Sequence, residues 1–206
     1  NVKSSTTFYS SGKLTLTGNA EVYTTMSRYY ANADDGIYVV GTAAAGEGKN
    51  AAVQYKSTNY LGHYSGTLSG KDTAAEFGYI LLNGSNDGNI KAQLVVDNAK
   101  VSTIGGPNGQ PGQVQMNDDA AIIATNGSVL DFRGPKDFGY ISMTENNSIS
   151  LTDSEMYLGK EGQGTNTLNG TLNLTDSTLE STGKIVNNGT INFTGESSIN
   201  VSKIEG

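Results

Sequence analysis

The chain of 206 residues has no cysteine, no tryptophan, one histidine and three prolines, and only 16% of its residues are charged. Each shortage narrows the field. Without cysteine there is no disulfide framework, no thiolate metal site and no cysteine nucleophile. One histidine and no cysteine cannot assemble an ordinary zinc site, so no metal and no cofactor is expected. No apolar run reaches the length of a membrane-spanning helix, so direct membrane insertion is not expected. Thirteen Lys and Arg stand against 20 Asp and Glu, a net charge of −7. Without clustered cations, nucleic acid is not an expected partner. The hydrophobic fraction of 35% is low for a compact α/β enzyme core. Scarce proline and strongly patterned apolar residues argue against disorder. The sequence opens on Asn1 rather than Met, which points to a processed or excised piece.

What is present in quantity is small and polar: Ser, Thr, Asn and Gly account for 90 of the 206 residues. They recur with a period. Asn126-Gly-Ser-Val, Asn146-Asn-Ser-Ile, Asn169-Gly-Thr-Leu and Asn188-Gly-Thr-Ile are separated by 20, 23 and 19 residues. A second series, Asp153-Ser-Glu-Met, Asp176-Ser-Thr-Leu and Glu196-Ser-Ser-Ile, runs in phase at spacings of 23 and 20. Each period holds short alternating apolar runs. Ile149/Leu151, Leu172/Leu174 and Ile191/Phe193 form one set. Met156/Leu158, Leu179 and Ile199/Val201 form the next, and Ile141/Met143, Leu168 and Ile185 a third. Alternation of this kind reads as strands with one buried face.

Three strands per coil with Asn-Gly or Asp-Ser corners define an all-β fold, a single right-handed parallel β-helix of about 19–23 residues per coil. Stacked at ~4.8 Å, about ten coils would make a rod of ~50 Å. Asn126, Asn146, Asn169 and Asn188 are expected to form a structural ladder up one corner. Residues 114–206 read as regular coils and residues 1–113 as less regular ones, all within one solenoid. Glu76-Phe-Gly-Tyr-Ile80 recurs as Asp137-Phe-Gly-Tyr-Ile141 after 61 residues, about three coils. Residues 42–51 and 104–113 read as loops protruding from the stack. The rival architecture is an antiparallel β-sandwich, which also has many short strands and Gly-rich turns. Similarity at the full period rather than at each strand favours the β-helix.

Leu172-Asn-Leu-Thr-Asp-Ser-Thr-Leu179, Lys184-Ile-Val-Asn-Asn-Gly-Thr-Ile-Asn-Phe-Thr-Gly195 and Gly36-Ile-Tyr-Val-Val40 resemble passenger domains of bacterial autotransporter adhesins of the type V secretion pathway. The resemblance is clearest over 115–206 and rests on composition and repeat. It implies a right-handed β-helical stalk, export and exposure on the bacterial surface, held at the outer membrane through a region outside this chain. It carries no binding residue over.

Chemistry is thinly supplied. His63 is the sole histidine, and no Gly-x-Ser-x-Gly elbow accompanies it. Asp118-Asp119 is a carboxylate pair, but neighbours on a strand point to opposite faces, which is wrong for shared acid and base work. No catalytic residue is expected. The Gly-Gly-x-Gly-x-Asp calcium motif is absent. Asp34, Asp35, Asp118 and Asp119 offer only isolated oxygen ligands. Eight Asn-x-Ser/Thr sequons follow from composition and are not read as glycan sites.

The tyrosines give the one lead. Seven of eleven fall between 23 and 64, with Arg28 and His63 among them. Tyrosine offers a flat apolar face and a hydroxyl at low conformational cost. The candidate ligand-binding set is therefore Arg28, Tyr29, Tyr30, Tyr55, Tyr60, His63 and Tyr64. The plainer role for these residues is packing over loops or capping an open end of the stack. The resulting expectation is a non-enzymatic adhesin or stalk segment that attaches to a host or neighbouring-cell surface protein or glycan, with homo-association along the rod. The alternatives are a self-assembling subunit of an extracellular filament or surface layer and, further off, a β-helical polysaccharide-degrading enzyme.

Overall fold

A computed structural model describes residues 2–3, 7–10, 14–17, 21–24, 26–29, 36–40, 54–57, 61–63, 65–77, 79–83, 92–105, 111–160 and 164–206. Side chains are described at 68–70, 74, 76–77 and 80–82, and throughout the ranges from 92 onward.

Every strand pairing among the described residues is parallel, and each strand pairs with the strand about three elements later. That rule produces a three-faced solenoid. The first face stacks β3 (Leu14–Thr17), β6 (Gly36–Val40), the first part of β9 (Ser65–Phe77), the first part of β11 (Ala92–Thr103), β13 (Ala120–Thr125), β16 (Ser148–Thr152), β19 (Thr171–Thr175) and β21 (Thr190–Thr194). The second face stacks β1 (Val2–Lys3), β4 (Glu21–Thr24), β7 (Gln54–Ser57), the later parts of β9 and β11, β14 (Val129–Phe132), β17 (Glu155–Leu158), and the first parts of β20 (Thr178–Asn187) and β22 (Ser198–Glu205). The third stacks β2 (Thr7–Ser10), β5 (Met26–Tyr29), β8 (Leu61–His63), β10 (Tyr79–Asn83), β12 (Gln113–Asn117), β15 (Tyr140–Met143), β18 (Asn166–Leu168) and the ends of β20 and β22. The chain is thus a parallel β-helix, and the antiparallel sandwich is excluded. The described strands number eight on the first face and nine on each of the others.

The apolar sets fall one to a face. Ile149, Leu151, Leu172 and Leu174 point inward from the first face, Met156, Leu158 and Leu179 from the second, and Ile141, Met143, Leu168 and Ile185 from the third, all at 0–1% exposure. Burying each such side chain stabilises the rod by about 1.5–3 kcal/mol. Inward Leu or Ile from three directions fills a core one coil wide. Near Gly206, Ile191, Ile199 and Val201 are only partly buried, and Phe193 and Ile204 are exposed.

The expected 19–23-residue spacing holds from Ile149 onward: Ile149 registers with Leu172 and Leu172 with Ile191. Upstream the coils widen. Ile122 registers with Ile149, 27 residues on, and Tyr79 with Gln113, 34 residues on. The extra residues separate strands: 84–91 lie between β10 and β11 in sequence, 104–112 between β11 and β12, and 133–139 between β14 and β15. For that reason Ile80 and Ile141 share a face two coils apart, through Val114, and not three.

Two corners explain the Asn, Asp and Ser series. Between the first and second faces, Asn98, Asn126, Asp153, Asp176 and Gly195 adopt positive φ of 49°, 57°, 49°, 49° and 65°. Asn and Asp tolerate this left-handed region better than other side chains, and Gly adopts it freely. Just inside that corner runs a column of buried serines. The Ser154 N–H donates to Ser177 Oγ (3.1 Å), and the Ser177 N–H to Ser197 Oγ (3.2 Å). The serine hydroxyls in turn donate to the carbonyls of Thr152, Thr175 and Thr194. These bonds satisfy backbone groups that the corner would otherwise strand.

The corner between the third and first faces holds Asn146, Asn169 and Asn188. Asn188 Nδ2 donates to Asn169 Oδ1 at 2.9 Å, and Asn146 occupies the same register position one coil below. Asn126 stands apart from this ladder. It lies at the other corner, where its Nδ2 donates to Asp97 Oδ1 at 2.6 Å. Asn-Gly is sequence-equivalent at both corners, because both need a tight polar turn. A second ladder, whose Asn–Asn rung has the same 19-residue spacing, runs up the first face: Asn192 Nδ2 donates to Asn173 Oδ1 (2.9 Å), and Asn173 Nδ2 to Ser150 Oγ (3.2 Å).

Candidate functional site

Of the Tyr-rich set, Arg28 and Tyr29 lie on β5 and His63 on β8, adjacent strands of the third face in which Arg28 registers with Gly62. Tyr55 lies on β7 of the second face, registered with Ala75. Their backbone positions divide them between two faces. Tyr30, Tyr60 and Tyr64, like residues 42–51, lie outside the described residues. Asp118 and Asp119 take positive φ where the third face turns into the first. That corner is closed from the next coil by buried Asn147, whose Oδ1 accepts the Ala120 N–H (2.9 Å) while its Nδ2 donates to the Met116 carbonyl (2.7 Å). Asp118 and Asp119 therefore sit in a structural turn. Among the described residues no group of three or more His, Cys, Asp or Glu is placed to hold a metal.

The described part of the molecule offers a different site. On β14 and β17, alternation turns Leu130, Phe132, Met156 and Leu158 inward, so Asp131, Glu155 and Tyr157 must face out. Parallel register sets Tyr157 directly beside Asp131. Arg133 follows two residues after Asp131 on the same side and forms a two-point pair with it, Nε to Oδ1 at 2.8 Å and Nη2 to Oδ2 at 2.7 Å. Lys100 Nζ adds a longer contact to Asp131 at 3.9 Å. The Arg133 guanidinium lies 4.9 Å from the centre of the Tyr157 ring, within cation–π range. The Tyr157 hydroxyl donates to Glu155 Oε2 at 2.7 Å.

The segment Arg133–Gly139 walls this arrangement. Its path depends on glycine: a Cβ on Gly139 would collide with the carbonyls of Phe132 and Arg133, and one on Gly159 with those of Arg133 and Gly139. The Gly139 N–H also closes the loop by donating to the Arg133 carbonyl. Beside the wall is an open depression of about 530 Å³ bordered by Glu76, Lys100, Asp131, Arg133 and Asp137. A second, of about 290 Å³, is bordered by Arg133, Tyr157, Glu180 and Asn200. Arg133 and Thr182 border both, so the two form one cleft running along the rod axis. Asp137 contributes a buried Oδ1 with no hydrogen-bond partner among the described residues.

Charge in the cleft is fixed rather than poised. The hydrogen bond from Arg133, with the Arg133 and Lys100 charges, holds the Asp131 carboxyl below the ordinary carboxylate range despite partial burial. The same hydrogen bond pushes Arg133 further up. Tyr157 is pushed up to about 12, first by its hydrogen bond to Glu155, then by burial and the Glu155 and Glu180 charges. A general acid or base works best with its pKa near the working pH, and these shifts all move away from it. The cleft is built to hold dipoles and charges in place.

Sequence reading missed Asp131, Arg133, Glu155 and Tyr157, although a signal was present. The inward Met156/Leu158 pair already forces Glu155 and Tyr157 outward. What hid the site was the seven-residue loop Arg133–Gly139, which shifts the register between Asp131 and Tyr157 to 26 residues, outside the 19–23 period. Comparison with protein-family models, with curated proteins and with solved structures gave no match.

Proposed function

We propose that this chain is a binding segment of a bacterial cell-surface adhesin, a rod that presents polar side chains to a host or neighbouring-cell surface without catalysing a reaction on it. The single observation that carries this reading is the axial cleft, an open polar channel whose Asp131, Arg133 and Tyr157 are tied to one another and shifted away from proton-transfer pKa values. The parallel β-helix accords with it, since a solenoid core supplies length and exposed faces at little apolar cost. So does the resemblance of 115–206 to autotransporter passengers, which argues for an exported, surface-held location.

The test is attachment. Beads coated with the purified chain through a terminal tag should adhere to a panel of bacterial and epithelial cells more than beads coated with an unrelated β-helical protein. Soluble chain should compete that adhesion away. Equal adhesion by both bead types, or turnover of a polysaccharide panel by the chain, would contradict the proposal.

A further inference from the structure

We infer that the cleft on the second face receives an uncharged, hydroxyl-rich linear glycan lying parallel to the rod axis. The inference rests on the binding reading above and names the ligand class.

Shape comes first. The outward column Glu76, Ser102, Asp131, Tyr157, Glu180 and Asn200 climbs one strand per step. Five steps at the usual strand spacing make about 24 Å, long enough for roughly four or five linked pyranose rings, each close to one coil spacing in length. The cleft is open along its side, which suits a chain longer than the site.

Backbone bonding argues against a peptide. Extended peptides gain affinity by adding a strand to a free sheet edge. Along this column β14, β17 and the first part of β20 are each paired on both sides. A ligand crossing them at right angles meets side chains only. Hydroxyls, which donate and accept, match a surface of carboxylates, a guanidinium, Ser, Thr and Asn.

Charge argues against an acidic glycan. Among the described residues the cations that border the cleft are Lys100 and Arg133, and both contact Asp131. Asp137 and Glu180 border the cleft as further carboxylates, so an added uronate or sulfate meets like charge. Tyr157 supplies a flat apolar ring edged by polar groups.

The test uses the whole chain with cellohexaose, mannohexaose, laminarihexaose and chitohexaose as neutral probes, oligogalacturonate as the acidic one and hexalysine as the cationic peptide. Binding is read by calorimetry and by amide shift perturbation. At least one neutral hexaose should bind and perturb Asp131, Arg133 and Tyr157. Its affinity should rise with length, level off near five rings and hold steady as salt increases. Arg133→Ala and Tyr157→Ala should each weaken it by about tenfold or more, a loss of ~1.4 kcal/mol. Asn192→Ala on the first face should leave it unchanged, and all three variants should keep the parent β circular dichroism. No binding by any neutral hexaose overturns the inference, as does tighter binding of oligogalacturonate or hexalysine, or neutral binding indifferent to the cleft variants. The two readings fail separately. Cell adhesion that survives the cleft variants sinks the glycan cleft and spares the adhesin. Glycan binding without adhesion does the reverse.

Discussion

The coils from Leu172 to Gly206 and the coils from Ala92 to Asn147 share one cross-section and differ in their corners. In the later coils the second face passes to the third within β20 and within β22, almost without interruption. In the middle coils the strands at the same corner are separated by nine residues, 104–112, and by seven, 133–139. The inward residues barely notice: Leu130 and Phe132 are as buried as Leu172 and Leu179. The contrast teaches that repeat and site are encoded separately. The tight period builds the rod, and the cleft exists where the period is broken, because an enlarged corner gives the adjacent face a wall.

Substitutions can break or sharpen that contrast. Leu172→Ala, in the regular coils, should cost most, about 2–5 kcal/mol in urea unfolding, because a core one coil wide has little freedom to collapse around the void. Gly139→Ala should cost about 2 kcal/mol or more and loosen the cleft wall, since the new Cβ meets backbone on both sides. Gly127→Ala is its control: nothing lies within 4 Å of that Cβ and only the positive φ of 76° resists it, so about 1 kcal/mol is expected. If the two alanines cost the same, close backbone packing is not what shapes the enlarged corner. Ser177→Ala strands the Ser154 N–H and should cost about 1–2 kcal/mol. Asn188→Ala removes one exposed amide bond, for about 0.5 kcal/mol or less.

The smallest effect is set by pH. Asp131 has a folded-state pKa below its unfolded value, so its contribution is complete above the unfolded value of ~3.9 and fades as pH falls through the folded one. Asp131→Asn should therefore flatten the acid limb of a stability–pH curve below about pH 4 and leave the neutral region's slope unchanged. A variant whose acid limb matches the parent's would show that the Arg133 pair does not couple to folding.

The three inward stripes were legible because solenoid burial repeats: Ile149, Leu172 and Ile191 announce one face, and Met156 and Leu179 another. Corner chemistry was legible in kind and ambiguous in place. Asn126-Gly and Asn169-Gly read alike because both turns need a small polar residue, yet they sit at different corners. Buried Asn166 gave no sign at all. It points inward from β18, where its Oδ1 accepts the Ile141 N–H at 3.1 Å and its Nδ2 donates to the Gly159 carbonyl at 3.0 Å. Its role depends on where a loop returns, and no local pattern records that. The cleft was hidden for the same reason. Asp131 and Tyr157 become neighbours only after Arg133–Gly139 has been looped out, and loop lengths carry no hydrophobic period.

One property of the stack bears on load. The hydrogen bonds joining coil to coil run along the rod axis, so tension between the ends opens them one rung at a time instead of shearing many at once. A rod of this design pays out slack like thread from a spool. The unequal coils make the slack uneven: the coil from Leu172 to Ile191 releases 19 residues, or ~65 Å of chain, and the one from Tyr79 to Gln113 releases 34, or ~120 Å. The short coils near Gly206 give small increments and the enlarged ones large increments. A surface tether built this way would absorb a pull in graded steps, and coils still wound between the break and the load would keep their grip.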